Sequence, residues 1–111
     1  MKIVQEHHGA FEVVRPRGPL VAEDANQLRR RVNKVLEEHG PSIVLDLSSV
    51  PYADSQGLET LADLAEQWIR TGQTLRICGL NDTLREVLDL TDLTSLFEQF
   101  EEVPSAVGSG T

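Results

Sequence analysis

Cysteine is nearly absent from this sequence: Cys78 stands alone among 111 residues. A single thiol forms no internal disulfide, and no cysteine cluster exists to build a structural metal site. Long hydrophobic runs are missing too, since no apolar stretch approaches the roughly 20 residues that a membrane span requires. The opening residues, Met1-Lys2-Ile3-Val4-Gln5-Glu6, turn charged too early to supply the apolar region of a signal peptide, so a cytoplasmic location without membrane insertion is expected. Aromatic residues are only 5% of the chain against 40% hydrophobic residues overall, which points to a core of Leu, Val, Ile and Ala, with helices on a sheet. Positive charge is also scarce: 10 Lys and Arg stand against 18 Asp and Glu, a net charge of −8. Binding nucleic acid through its phosphates needs a concentrated basic face. The only dense cluster, Arg29-Arg30-Arg31, shares its helix with Asp24, Glu37 and Glu38 and reads as a solvated face. A protein partner is expected, not nucleic acid or anionic lipid.

What is present is the alternation of short β-prone runs with amphipathic stretches. Ile3-Val4 and Phe11 to Val14, separated by His7-His8-Gly9-Ala10, suggest a hairpin. Pro16, Gly18 and Pro19 break the pattern and start a loop. Ala25, Leu28, Val32, Val35 and Leu36 recur at helical spacing and predict a helix from about Ala22 to Glu38, stopped by His39-Gly40-Pro41. Ser42 to Leu47 is nearly continuous in apolar character, as expected of a central strand covered on both faces. A loop from Ser48 to Asp54 leads to a second helix, about Ser55 to Thr71, then a strand at Thr74 to Cys78 and a third helix capped by Asn81. Leu96-Phe97 suggests a short edge strand and Glu98 to Val103 a last helical turn or two. The order is that of an α/β fold: a mixed β-sheet of about four to five strands with helices packed on it, in a single domain of residues 1–103. Residues 104–111, Pro-Ser-Ala-Val-Gly-Ser-Gly-Thr, read as a flexible C-terminal tail.

The chemistry concentrates where the central strand runs into Asp54-Ser55-Gln56-Gly57-Leu58. Either Asp54 or Ser55 can cap the helix, because a short side-chain oxygen there accepts a bond from an unsatisfied N–H. Gly57 lowers helix propensity in the first turn, which fits a position where a partner or a backbone approaches closely. A phosphate on Ser55 would sit where free N–H groups favour an anion, while the Asp54 carboxylate would oppose it. Other polar residues carry plainer readings. Asp46 bonds the adjacent loop, Ser49 and Thr60 are exposed hydroxyls, Trp68 belongs to the core, and Cys78 is a small buried side chain. His7 and His8 have no cluster at metal-ligand spacing, so no metal is expected. Gly-x-Ser-x-Gly, a P-loop and Gly-x-Gly-x-x-Gly are all lacking, and no histidine stands as an evident base for Ser55. No catalytic residue and no cofactor are expected; the chain is read as a non-enzyme.

At these residues the sequence resembles the STAS family, whose free-standing bacterial members are anti-sigma factor antagonists. The likeness is carried by Leu45-Asp46-Leu47, Asp54-Ser55-Gln56-Gly57-Leu58, the turn and strand Gly72 to Gly79, and Val87 to Leu93. It implies a partner-switching regulator of transcription and signal transduction that binds a serine-kinase anti-sigma factor. In that scheme Ser55 is the phosphoacceptor, phosphorylation releases the partner, and a phosphatase resets the cycle. Asp54, Gln56, Gly57 and Leu58, with the turn near residues 18–24, would contact the partner, and the protein would be a monomer or weak dimer. Val21 stands where such antagonists often carry an Asp, and Ala53 where many carry a bulkier apolar residue. The alternative that the resemblance leaves for this chain is a non-phosphorylated adaptor subunit, in a lipid-transport ATPase or a stress-signalling assembly.

Overall fold

The computed structural model describes residues 1–108. Two strands open the chain, β1 (Lys2–His8) and β2 (Phe11–Arg17), followed by α1 (Ala22–His39), β3 (Ile43–Asp46), α2 (Ser55–Arg70), β4 (Leu75–Cys78), α3 (Asp82–Leu90), a 3-10 turn (Thr94–Leu96), β5 (Phe97–Phe100) and α4 (Val103–Gly108). The hairpin turn is only Gly9-Ala10, with Gly9 at a φ of 60° that a two-residue turn demands of its first position. The five strands lie in the order β1-β2-β3-β4-β5, with β1 antiparallel to β2 and the others parallel.

This order fixes where the helices go. Each parallel crossover is right-handed by the twist of its strands, and the strands are laid down in one direction. α1, α2 and α3 therefore fall on the same face of the sheet. Their apolar stripes, Ala25, Leu28, Val32 and Val35 on α1, Leu61, Leu64, Ala65 and Trp68 on α2, and Leu84 and Leu88 on α3, close over Val14, Ile43, Leu45, Leu75 and Ile77 in one cluster. Each such leucine, fully buried, contributes on the order of 2 kcal/mol. All four residues of β3 are buried, as expected of a strand covered on both sides.

The opposite face is covered by the C-terminal end of the chain, which corrects the flexible tail expected from residue 104. Pro104 to Gly108 form most of α4. Ala106 is fully buried against Val13, Val44 and Cys78, with Phe11, Phe100, Val103 and Val107 packed around them. Arg76 Nη1 donates to the Ala106 carbonyl at 2.5 Å, and the guanidinium lies over the rings of Phe11 and Phe100. The expected tail beyond Gly108 lies outside the described residues. The last helical turns expected from Glu98 are likewise displaced: Phe97–Phe100 is a strand and the helix starts at Val103. Pro16 also lies inside β2, where a loop was expected. The Glu12 N–H faces β3, donating to Ser42, so by alternation the missing donor of Pro16 falls on that side. Pairing with β3 ends at Val14, and proline removes no ladder bond there.

Candidate functional site

The Asp54-to-Leu58 segment sits beyond the carboxyl ends of β2 and β3, where two loops run side by side. The N–H of Leu20 donates to the Tyr52 carbonyl at 2.9 Å and that of Asp54 to the Leu20 carbonyl at 3.2 Å, a single parallel bridge between Leu20 and Ala53. Asn81, at the start of α3, braces the same loop by donating its amide to the carbonyls of Val50 and Pro51. The loop that presents Ser55 is thus held from two directions.

Of the two oxygen-bearing candidates, Asp54 is the cap. Its Oδ1 accepts from the Gly57 N–H at 2.9 Å, closing the first turn of α2. Its Oδ2 accepts from the Ala22 N–H at 3.1 Å, at the head of α1. The N-cap residue of α1 is Val21, which offers no side-chain oxygen. One carboxylate at the head of α2 therefore serves two helices, and the Ala22 that donates to it stands at a φ of 47°, in the left-handed region uncommon for a non-glycine residue. Ser55 is left as the first residue of α2, exposed, its hydroxyl without a hydrogen bond among the described residues.

Gly57 is buried, and the close approach expected there comes from the chain's own backbone: a Cβ would stand 2.1 Å from the Leu20 carbonyl oxygen. Its place is inside the joint between the two loops. Gln56 is exposed beside Ser55, Leu58 is half-buried, and Tyr52, 51% exposed, adds an aromatic ring to this end of the molecule. The turn near residues 18–24 is the one the resemblance implied, and its Leu20-to-Ala22 backbone lies beside Asp54; Tyr52 was not named by it. Leu20 and Ala22 reach Asp54 through contacts across more than 30 residues, which no local pattern encodes, whereas Tyr52 stands three residues before Ser55 in the same loop.

Beneath the site a polar joint crosses the sheet. Asp46, 4% exposed, accepts from Arg15 Nε at 2.8 Å on β2 and from the Ser48 N–H at 2.9 Å in the loop. Burial alone would raise its pKa, yet the bonds from Arg15 and Ser48 outweigh it and hold the carboxyl below its ordinary value. Burial, with the Asp46 charge nearby, pushes the Cys78 thiol up to about 12, so this cysteine stays protonated and inert. Thr60, expected to be exposed, is 1% exposed and accepts from Arg29 Nη2 at 3.1 Å, while Arg29 Nη1 reaches Asp63 at 2.7 Å. Arg29 thus ties α1 to α2 and is no part of a free basic face. Among the described residues no group of three His, Cys, Asp or Glu could hold a metal ion, and no helix is long and apolar enough to cross a membrane.

A five-stranded mixed sheet with three helices on one face, and a helix-start hydroxyl beside a braced loop at the strand ends, define a single α/β domain. The STAS domain family model matches residues 2–106, and the chain belongs to that family. The match runs past residue 103, into α4. An anti-sigma F factor antagonist of Paenibacillus polymyxa is 23% identical over 96% of this chain and 92% of its own. The crystal structure of an anti-sigma factor antagonist from Mycobacterium paratuberculosis superposes with a TM-score of 0.84 at 24% identity, covering 97% of this chain and 92% of that one. The Bacillus cell fate determinant SpoIIAA in its phosphorylated form gives 0.74 at 15% identity, covering 99% and 100%. The fold is that of the anti-sigma factor antagonists.

Proposed function

We propose that this protein is a partner-switching regulator, an anti-sigma factor antagonist that binds a serine-kinase anti-sigma factor and is released when Ser55 is phosphorylated. The observation that carries the reading is the division of labour at the helix start. Asp54 caps α2, so the Ser55 hydroxyl has no structural duty and stands exposed at the positive end of a 16-residue helix. The curated relative named as an anti-sigma F factor antagonist supports the partner class, and the SpoIIAA likeness supports a phosphorylated state of the same fold. A phosphoryl group adds roughly two negative charges beside Asp54, which repels an acidic partner surface and costs desolvation against an apolar one in a tight interface. Ser55, Gln56, Leu58 and Tyr52 form the contact surface, Asp54 and Gly57 shape it, and a phosphatase restores the hydroxyl. The protein itself catalyses nothing and acts in the cytoplasm.

Incubation with ATP and a serine-kinase anti-sigma factor from the same genome is expected to add about 80 Da, one phosphoryl group, by intact mass, with no gain in Ser55→Ala. Ser55→Asp is expected to weaken partner binding while Ser55→Ala binds and no longer switches. No mass gain, or a gain that survives Ser55→Ala, removes the phosphoacceptor and leaves the adaptor role.

A further inference from the structure

The sheet has two open edges, and they differ in charge. β5, on one side, carries Glu98 and runs into Glu101 and Glu102. β1, on the other, borders a cleft of about 320 Å³ lined by Met1, Ile3, Gln27, Arg30, Arg31 and Lys34. The last four lie at i, i+3, i+4 and i+7 on α1, so they form one stripe facing the edge strand. Arg30 shares its charge with Glu23 at 3.2 Å. Arg31 and Lys34 have no carboxylate partner among the described residues, and Arg31 is turned towards the edge by its bond from Nε to Gln5 Oε1 at 3.4 Å. In a chain of net charge −8 this is a local reversal of sign.

The backbone of β1 adds the second half of the site. Because Glu12 and Val14 direct their N–H groups towards β3, the alternation of the ladder turns Phe11, Val13 and Arg15 towards β1. Their partners His8, Glu6 and Val4 complete those bonds. Ile3, Gln5 and His7 consequently direct their N–H and C=O groups outward, along the open edge above the cationic stripe.

We propose that this edge captures an extended acidic segment of a partner protein by strand addition. The main chain of the segment pairs with Ile3, Gln5 and His7, its acidic side chains meet Arg31 and Lys34, and a small apolar side chain rests in the cleft on Ile3. Outward backbone groups select a peptide, where a free anion would use the cations alone. Charge sorts the segment to β1, since the acidic β5 edge repels it. The surface is separate from Ser55 and does not depend on its phosphorylation.

The test is a fluorescein-labelled peptide of about ten residues alternating glutamate and valine, titrated onto the full chain with a lysine–valine peptide as control. The glutamate peptide is expected to bind, to shift the amide resonances of Ile3, Gln5 and His7 and to slow their hydrogen exchange. Arg31→Glu with Lys34→Glu is expected to weaken it at least about tenfold at an unchanged melting temperature. The milder pair Arg31→Gln and Lys34→Gln should show an intermediate loss, and Ser55→Asp none. The proposal is overturned if neither peptide binds, if the lysine peptide binds equally, if the shifts map to α2, or if the charge reversals leave affinity unchanged. Equal competition by inorganic phosphate or phosphatidylglycerol vesicles, or dimerisation of the chain that the same reversals abolish, overturns the assignment to a separate protein.

Discussion

The two oxygens of Asp54 reach the heads of two helices, Gly57 on α2 and Ala22 on α1, while the neighbouring Ser55 hydroxyl reaches nothing among the described residues. Adjacent residues with similar capping chemistry therefore have opposite energetic weights. Asp54→Ala removes both caps and leaves two N–H groups without their acceptor, so it is expected to lower stability by about 2 kcal/mol. Ser55→Ala is expected to change it by less than about 0.5 kcal/mol. Urea denaturation of the two variants measures the contrast. A loss in Ser55→Ala as large as in Asp54→Ala would show that the hydroxyl serves the fold after all.

Among the elements, α2 meets the β2–α1 loop without room for a side chain. The Leu20 carbonyl lies where a Gly57 Cβ would project, and the same carbonyl accepts from the Asp54 N–H. Gly57→Ala normally favours a helix by up to about 1 kcal/mol. Here the clash is with backbone, which cannot swing aside as a flexible side chain could. The substitution is expected to cost on the order of 3 kcal/mol and to displace residues 20–22. Thermal melting and the amide shift of Ala22 report both effects; a stabilised Gly57→Ala would contradict the close approach. The motif's glycine was legible from the sequence as a place of close approach, but the identity of the approaching group was not. Leu20 is 37 residues away in the chain and is brought there by parallel pairing of the β2 and β3 ends.

Across the whole molecule, Asp46 joins β2, β3 and the loop that leads to Ser55. Its folded-state pKa is depressed below the ordinary 3.8, so its ionisation stabilises the fold above that value and the contribution is lost as pH falls through the depressed folded value. Thermal stability is therefore expected to decline on acidification below about pH 4, and Asp46→Asn to flatten part of that decline. At neutral pH the same substitution is expected to cost about 2 kcal/mol, because Arg15 loses its buried charged partner and keeps only the exposed Glu6. Melting temperatures of both proteins from pH 7 to 3 test this; parallel curves would exclude Asp46 as a source of the acid sensitivity.

Periodicity alone determined most of the architecture. The stripe Ala25 to Val35, the apolar run at β3 and the breaks at Gly40 and Gly72 are local patterns, and local patterns set helices and strands; on α2 the buried stripe is Leu61, Leu64, Ala65 and Trp68, with Ile69 left exposed. The Asp-Ser-Gln-Gly segment likewise marked the site, because its residue types and spacing are written in consecutive positions. Tertiary structure decided what depends on distant contacts. Ala106 is helical and buried because β2, β3 and β4 leave an apolar face uncovered, which the polar composition of residues 104–111 does not reveal. Arg29 is tied to α2 while Arg31, bonded only to Gln5, has no carboxylate partner among the described residues, a distinction invisible in a run of three arginines. Asp54 caps α2 through a local bond from the Gly57 N–H, but only folding brings the Ala22 N–H within reach of its second oxygen. Short-range patterning specifies which elements form; the choice among chemically similar neighbours is made by the groups that packing places opposite them.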